Sequence, residues 1–183
     1  MGWLCYDIYT SPKQECDRIL NYKGENGIQE VLASYMKGNI YYAVVHQKTE
    51  KRDCNFAAVF LTYYSPKARN GYNFGYKDMD ETMGPHYYDF PEKYLNMLSP
   101  TTSKFALEWR EEVKQNIERK KRIAKLKVGT QIKFKSPIET TSGVKIGDEV
   151  ILTKRKRCFV RNYSIWNKDW IPANFEIINK NQN

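Results

Sequence analysis

Asn55–Tyr64, with the sequence NFAAVFLTYY, carries the strongest secondary-structure signal in the first part of the chain. β-branched and aromatic residues dominate it, and such residues favour a strand that is packed within a sheet. We therefore expect a central strand here. The stretch includes the longest apolar run in the chain, the six residues Phe56–Leu61. A membrane-spanning helix needs roughly 20 apolar residues, so this run predicts no transmembrane segment.

Further strands are predicted on both sides of this central strand. Residues 2–9 alternate bulky and apolar groups, and residues 72–76 form a short aromatic segment. Residues 28–36 fit either a helical face or a strand. The Gly38–Asn39 pair resembles a turn into the strand Ile40–His46, and this favours a strand over 28–36 that forms a hairpin.

Three helices are predicted. Ser11 followed by Pro12 and Gln14 gives an N-cap, a first helical position and a capping box. Residues 91–98 form one or two turns of helix, and a long helix runs from about 103 to 126. Its apolar stripe consists of Ala106, Trp109, Val113, Ile117 and Ala124. This stripe favours packing against the sheet and would equally serve a homodimer.

The last third of the chain changes to short alternating segments separated by glycines. Five short strands in about 50 residues are typical of a small β-barrel, here SH3-like. We predict an α+β protein: a mixed or antiparallel sheet with helices over 1–100, the long amphipathic helix over 101–127 and the barrel over 128–179. Residues 180–183 are a polar tail.

Positive charge is concentrated in the second part of the chain. The 183 residues carry a net charge of +9. Residues 1–100 hold 11 Lys and Arg against 12 Asp and Glu, and residues 101–183 hold 19 against 9, a net +10. This asymmetry predicts a polyanionic partner, or an acidic protein surface, for the second part.

Composition excludes several classes of protein. Apolar residues make up 41% and aromatic residues 14% of the chain, which excludes a wholly disordered polypeptide. The four cysteines include no Cys-x-x-Cys pair, and two histidines are too few for a site built on several imidazoles. No secretion signal is evident at the start of the sequence, so we expect a cytoplasmic protein with reduced thiols.

A cationic and aromatic segment, Lys154–Tyr163, is the best candidate for contact with nucleic acid. If Cys158–Tyr163 is one strand, Phe159, Arg161 and Tyr163 share a face on which bases can stack while nearby cations hold phosphates. The alternative is that residues 154–157 form an exposed hairpin loop and that the aromatic residues belong to the core of the barrel. The predicted nucleic-acid-binding residues are Lys120, Lys121, Arg122, Lys154, Arg155, Lys156, Arg157, Arg161 and Tyr163.

An acidic segment offers a second hypothesis. Asp78 and Asp80 would project on the same side of an extended chain, with Glu81 and His86 nearby. Paired carboxylates can hold Mg²⁺ for phosphodiester cleavage. The alternative is a solvated turn whose carboxylates accept backbone N–H groups. These four residues are the catalytic candidates of a nuclease, whereas a binding protein would need neither catalytic residues nor a cofactor.

Three tyrosine doublets suggest a protein interface. Neighbouring residues on a strand face opposite ways, so each of Tyr41–Tyr42, Tyr63–Tyr64 and Tyr87–Tyr88 should leave one ring outside the core. Exposed tyrosines are common at contacts with partner proteins. The doublets therefore predict a surface for such a partner.

Residues 74–85, the segment 91–100 and the runs ALEWR (106–110) and NIERKK (116–121) resemble an uncharacterised protein family. That family is carried by phages, plasmids and conjugative elements of Gram-positive bacteria. The end of the chain, from Gly129 to Ile178, is also similar to the tail of that family. The resemblance implies a small accessory gene of a mobile element. Such proteins are often counter-defence factors, and inhibitors of type II-A CRISPR systems are the group that this chain most resembles.

Our leading hypothesis is an anti-CRISPR protein, acting on Cas9 or its guide RNA in the cytoplasm of a bacterial host. The basic second part would contact structured RNA, and the near-neutral first part would contact protein. A metal-dependent nuclease is the first alternative, so whether the protein is an enzyme stays open. The second alternative is a phage host-takeover adaptor that works through protein contacts alone.

Overall fold

The computed structural model describes residues 2–67, 71–83, 87–125, 130–136, 138–139, 145–146, 150–154, 157–160, 163–166 and 175–178. The chain divides into two compact units, Met1–Lys114 and Gln115–Asn183. This division falls inside the long helix, whereas the sequence placed boundaries on either side of it. In the described part of the chain, no helix combines the length and apolar character needed to cross a membrane.

The first unit is built around one six-stranded antiparallel sheet with helices. Its elements are β1 (Leu4–Tyr6), α1 (Pro12–Leu20), β2 (Tyr22–Gly24), β3 (Gly27–Lys37), β4 (Ile40–Lys48), β5 (Asp53–Tyr64), β6 (Phe74–Asp80), a 3₁₀ turn (Glu81–Met83), α2 (Glu92–Leu95) and the beginning of α3 (Lys104–Ala124). The strand order is β1-β6-β5-β4-β3-β2. The predicted α+β class is confirmed, and β5 is a central strand as expected.

Local signals set the ends of α1 and the β3–β4 hairpin. Ser11 accepts a hydrogen bond from the backbone N–H of Gln14, and the Gln14 side chain closes the capping box. Gly38 has a φ of 60°, a left-handed conformation that glycine adopts without strain. Both predictions are therefore confirmed, and residues 28–36 form a strand rather than a helix.

Both faces of the sheet are covered, which the sequence did not predict. On one face Tyr41, Ala58 and Phe60 pack with Cys16 and Leu20 of α1. On the other face Tyr42 meets Phe90, whose ring also contacts Trp109 of α3. Tyr41 and Tyr42 are consequently both buried, so the expectation of one exposed ring is wrong for this doublet.

The other two doublets leave the core. Tyr63 and Tyr64 are both exposed, because they lie at the end of β5. Tyr87 is half-buried and Tyr88 is exposed. Of the three doublets, Tyr63–Tyr64 and Tyr87–Tyr88 therefore have exposed rings that suit contact with a protein partner, and Tyr41–Tyr42 does not.

The second unit continues α3, and its described residues include seven short strands. They are β7 (Gln131–Phe134), β8 (Ile138–Glu139), β9 (Lys145–Ile146), β10 (Val150–Lys154), β11 (Arg157–Val160), β12 (Tyr163–Trp166) and β13 (Phe175–Ile178). Five of them form an antiparallel sheet in the order β12-β11-β10-β7-β13, and β8 pairs with β9. Ile132, Phe134 and Phe175 are fully buried in this unit.

Two predicted strands need correction. Cys158–Tyr163 is not one strand, because β11 ends at Val160 and Tyr163 begins β12, where it pairs with Val160. In this antiparallel register Phe159 lies opposite Ser164, so Phe159 and Tyr163 do not share one face. In the first unit, β6 begins at Phe74 and continues to Asp80, beyond the predicted 72–76.

Candidate nucleic-acid interface

The second half of α3 carries a dense run of positive charge. From Lys114 to Lys125 the sequence contains six Lys and Arg against one Glu. Basic residues near the carboxyl end of a helix are stabilised by the helix dipole, so the run suits helix formation. Successive residues of a helix project about 100° apart, so three consecutive cations cannot share one face.

The structure accordingly separates the three predicted residues of α3. Lys121 and Arg122 are exposed and line one hollow, whereas Lys120 is half-buried and is not part of its lining. The hollow has a volume of about 490 Å³. Its lining residues are Gln115, Glu118, Arg119, Lys121, Arg122 and Lys125. We call this set the basic hollow.

Arg122 is fixed to the sheet of the second unit. Its guanidinium carbon lies 4.2 Å from the centroid of the Phe175 ring, and an N–H of the same group donates to the Phe175 carbonyl. Phe175 is fully buried and pairs with Phe134 of β7. A guanidinium stacked on an aromatic ring is held in a defined plane while its remaining N–H groups stay available.

Arg119 and Lys121 differ in the contacts that their charged groups make. Nζ of Lys121 lies 3.0 Å from a carboxylate oxygen of Glu118, an exposed pair that contributes little to stability. Nε of Arg119 is buried and makes no hydrogen bond, and it is the only such side-chain atom found in the described ranges. The basic hollow thus contains a guanidinium whose hydrogen-bonding capacity is not fully used.

The predicted residues of the β-strands are placed only by backbone register. Lys154 of β10 lies opposite Arg157 of β11, so two basic residues face each other across this hairpin. Tyr163 lies opposite Val160. Arg155, Lys156 and Arg161 are outside the described residues.

The two aspartates among the acidic candidates lie on one face of β6. Asp78 and Asp80 alternate with Met79 on β6, so they lie on the same face as predicted. Asp80 accepts hydrogen bonds from the backbone N–H and the hydroxyl of Thr82, at 2.7 and 2.5 Å. This agrees with the alternative in which a carboxylate caps a turn.

Asp78 has a perturbed acidity. Desolvation, followed by the like charge of Asp80, raises the pKa of Asp78 to about 6. The Asp78 side chain is nevertheless exposed to solvent, so water should reduce the size of this pKa shift. A carboxyl group with a pKa of about 6 is still mostly ionised at pH 7, so Asp78 keeps its negative charge at neutral pH.

Glu81 is engaged by an arginine of α3. Its carboxylate accepts two hydrogen bonds from Arg110, at 2.6 and 2.7 Å, and both side chains are largely buried. Arg110 also donates to the Ser99 carbonyl. Both oxygens of Glu81 therefore serve the attachment of α3, and neither is directed to a site shared with Asp78 and Asp80.

These contacts do not complete a site for Mg²⁺. Within the described ranges, no group of three or more His, Cys, Asp or Glu side chains is arranged to hold a metal ion. His86 lies outside those ranges. Asp78 and Asp80 are two carboxylates, so a Mg²⁺ ion held by them would take most of its remaining ligands from water and substrate.

Sequence reasoning missed two cations of the basic hollow, and it missed the aromatic ring on which Arg122 stacks. Arg119 and Lys125 flank Arg122 at a spacing of three residues, which was a readable signal for one helical face. Phe175 was not predictable as their neighbour, because it is 53 residues distant from Arg122 in sequence. The pairing of β13 with β7, rather than any local sequence pattern, positions that ring.

Comparison with known proteins adds one family match. The family described as Domain of unknown function (DUF6927) matches residues 100–164, which span α3 and the strands from β7 to the beginning of β12. No curated protein and no solved structure matches the chain. The matched family has no assigned activity, so the geometry of the chain has to carry any functional conclusion.

Proposed function

We propose that this protein binds structured RNA through the basic hollow. The observation that carries the proposal is the stacking of Arg122 on Phe175 beside the cations of α3. Cations that neutralise phosphates release condensed counterions, and this release supplies much of the affinity for nucleic acids. A guanidinium held in a fixed plane can donate two parallel hydrogen bonds to one phosphate.

The wider distribution of charge supports the same partner. The net +10 of residues 101–183 would attract a polyanion from a distance and raise the rate of association. The register of Lys154 opposite Arg157 adds a second pair of cations in the same unit. The near-neutral first unit, with Tyr63 and Tyr64 exposed, would remain available to a protein.

The biological role that we propose is counter-defence. The resemblance to proteins of mobile elements supports an anti-CRISPR function in the cytoplasm of the host bacterium, directed at Cas9 or its guide RNA. An inhibitor that imitates duplex DNA would be acidic, whereas the second part of this chain is strongly basic. Contact with the guide RNA is therefore the mode that its charge supports.

The second unit would present these cations on an SH3-like barrel. Its five-stranded antiparallel sheet and the buried residues Ile132, Phe134 and Phe175 support this fold. Lys154, the last residue of β10, would add a cation to this unit.

Binding to a type II-A guide RNA tests the proposal in a gel-shift or filter-binding assay. Reversing the charge with Lys121→Glu and Lys125→Glu should weaken binding at least tenfold and reduce its dependence on salt concentration. Lys23→Glu with Lys51→Glu makes the same change in net charge at exposed sites of the first unit. Equal losses for both pairs would leave only a non-specific attraction.

The same assay separates the alternatives. Reversal of Arg155, Arg157 and Arg161 should also abolish retention of RNA. RNA that is shortened in Mg²⁺, and is no longer shortened after Asp80→Ala, would replace the proposal with a nuclease. RNA that is neither shifted nor shortened would favour a host-takeover adaptor, which capture of a protein from a Gram-positive lysate would then identify.

A further inference from the structure

We propose that the basic hollow holds one unpaired base of the RNA, a purine in a loop or bulge, against the outer face of the Arg122 guanidinium. This contact rests on the RNA binding proposed above and names the part of the RNA that the site recognises. It is carried by the packing of Arg122 on Phe175 and by the cations beside it on α3. All of these residues belong to the second unit.

The guanidinium of Arg122 has one face covered by its own chain. Its carbon lies 4.2 Å from the centroid of the Phe175 ring, so that ring covers the inner face. Phe175 is fully buried beneath it, whereas Arg122 is exposed and lines the basic hollow. The face turned away from the ring is therefore the one that a ligand in the hollow can reach.

The edge of the same guanidinium keeps donors for a phosphate. An arginine side chain has five N–H groups, and one of those of Arg122 donates to the Phe175 carbonyl. No further hydrogen bond or ion pair of this side chain is found among the described residues. The ring and the carbonyl hold the group in place before a ligand arrives, and this lowers the entropic cost of binding.

Further cations lie about one helical turn to either side of Arg122. Arg119 lies three residues before it and Lys125 three residues after it, and residues at this spacing are neighbours on a helix surface. All three line the basic hollow. A base placed on Arg122 would therefore have cations available to the phosphates on both of its sides.

A flat face between cations selects an unpaired base. Bases inside an A-form duplex are stacked on both faces, so protein side chains stack mainly on bases that are splayed out of loops, bulges and ends. Guanidinium planes are among the groups on which such bases stack. A purine offers a larger ring surface than a pyrimidine, so we expect purines to bind more tightly.

The surrounding charge favours a nucleotide over an aromatic side chain of a protein. Four of the six residues that line the hollow are cationic, namely Arg119, Lys121, Arg122 and Lys125, and one is acidic. A base arrives with negative phosphates attached, and their neutralisation adds to the affinity. An aromatic side chain would make the same contact with Arg122 and leave those cations without counter-charges.

Binding of RNA hairpins to the full chain tests the stacked base without any change to the protein. The hairpins share one stem, and their loops contain adenines, uracils or abasic nucleotides. All three loops keep the same phosphates, so attraction by charge alone is equal. We expect the adenine loop to bind at least fivefold more tightly than the abasic loop, with the uracil loop between them, since stacking of a base on a side chain contributes to affinity on this scale.

Variants of the chain locate the base. Arg122→Lys keeps the charge and removes the planar face, so the preference for the adenine loop should fall below twofold. The matched control combines Arg122→Lys with Lys125→Arg, which keeps composition and net charge but moves the guanidinium along α3 from the Phe175 contact. It should not restore the preference. Phe175→Leu should also reduce the preference, whereas a purely structural role of this ring would weaken binding of the adenine and abasic hairpins equally.

The outcomes distinguish this contact from RNA binding in general. Equal affinity for the adenine and abasic hairpins would overturn the stacked base and leave RNA binding through charge intact. A full preference that persists in Arg122→Lys would overturn it equally, as would tighter binding to a blunt-ended duplex of the same length. Failure of every hairpin to bind would overturn the proposed function and the stacked base together.

Discussion

The ion pair between Glu81 and Arg110 shows how a carboxylate in an acidic segment can have a structural role. Glu81 follows β6 and is 2% exposed, and Arg110 reaches it from α3 with two hydrogen bonds. The backbone N–H of Ala57 also points to this carboxylate, at 3.4 Å. The pair fixes α3 to the sheet at one position along the helix.

Removal of one partner of this pair should be costly. Glu81→Gln leaves the Arg110 guanidinium buried without an opposite charge, so we expect the free energy of unfolding to fall by about 3–5 kcal/mol. Replacement of both residues by Met should recover most of this loss. Urea unfolding followed by circular dichroism measures both. A loss in Glu81→Gln no larger than that in Glu118→Gln would contradict the structural role.

The raised pKa of Asp78 predicts that stability depends on pH in the opposite direction to that expected of a salt-bridged carboxylate. Its folded-state pKa of about 6 lies above its ordinary value, so the folded chain binds the proton more tightly than the unfolded chain does. Stability from this group should therefore decrease as the pH rises from about 4 to 6. Asp78→Asn should raise the free energy of unfolding at pH 7 by up to about 1 kcal/mol, since exposure limits the effect.

Unfolding in urea across this pH range provides the test for Asp78. The difference in stability between wild type and Asp78→Asn should become smaller toward pH 4. Glu50→Gln, at an exposed position of the β4–β5 turn, provides the control. A difference that stays constant with pH would show that the carboxyl group is not perturbed.

At the scale of elements, the N-cap of α1 determines where this helix begins. The hydroxyl of Ser11 and the side chain of Gln14 satisfy backbone groups that the first turn of a helix leaves free. Ser11→Ala should lower the free energy of unfolding by about 1 kcal/mol. Ser65→Ala, in the loop after β5, should change it much less in the same thermal unfolding experiment.

Elements with a local signal were predictable from the sequence, and elements defined by distant contacts were not. The capping residues of α1 and the left-handed Gly38 are local, and both predictions held. The burial of Tyr42 depends on Phe90, which reaches it from a segment 48 residues later in the chain. The alternation of apolar and polar residues along a strand predicts one buried face. It does not show that distant segments also cover the second face.

The basic site was predictable in its charge but not in its geometry. A run of cations in the sequence located the relevant turns of α3, yet the helical repeat directs Lys120 away from Lys121 and Arg122. The break between β11 and β12 likewise separated Phe159 from Tyr163. Composition indicates whether a surface carries net positive or negative charge. Backbone geometry determines which charged side chains lie together on that surface.

At the scale of the whole molecule, the first unit carries a core of its own. Its largest buried side chains, among them Tyr41, Phe60, Phe74 and Phe90, all belong to residues before 115. A chain of residues 1–125 should therefore fold. We expect hydrogen exchange at the amides of β4 and β5 to remain within about tenfold of that in the full chain, and complete loss of protection would contradict an independent first unit.

The pairing of Glu81 with Arg110 has a consequence for how related sequences can diverge. A change at either position alone would leave a buried charge without its counter-charge. Relatives should therefore keep both residue types or replace both together. Joint replacement at positions 81 and 110 would be the evolutionary trace of a helix that is attached to the sheet through this pair.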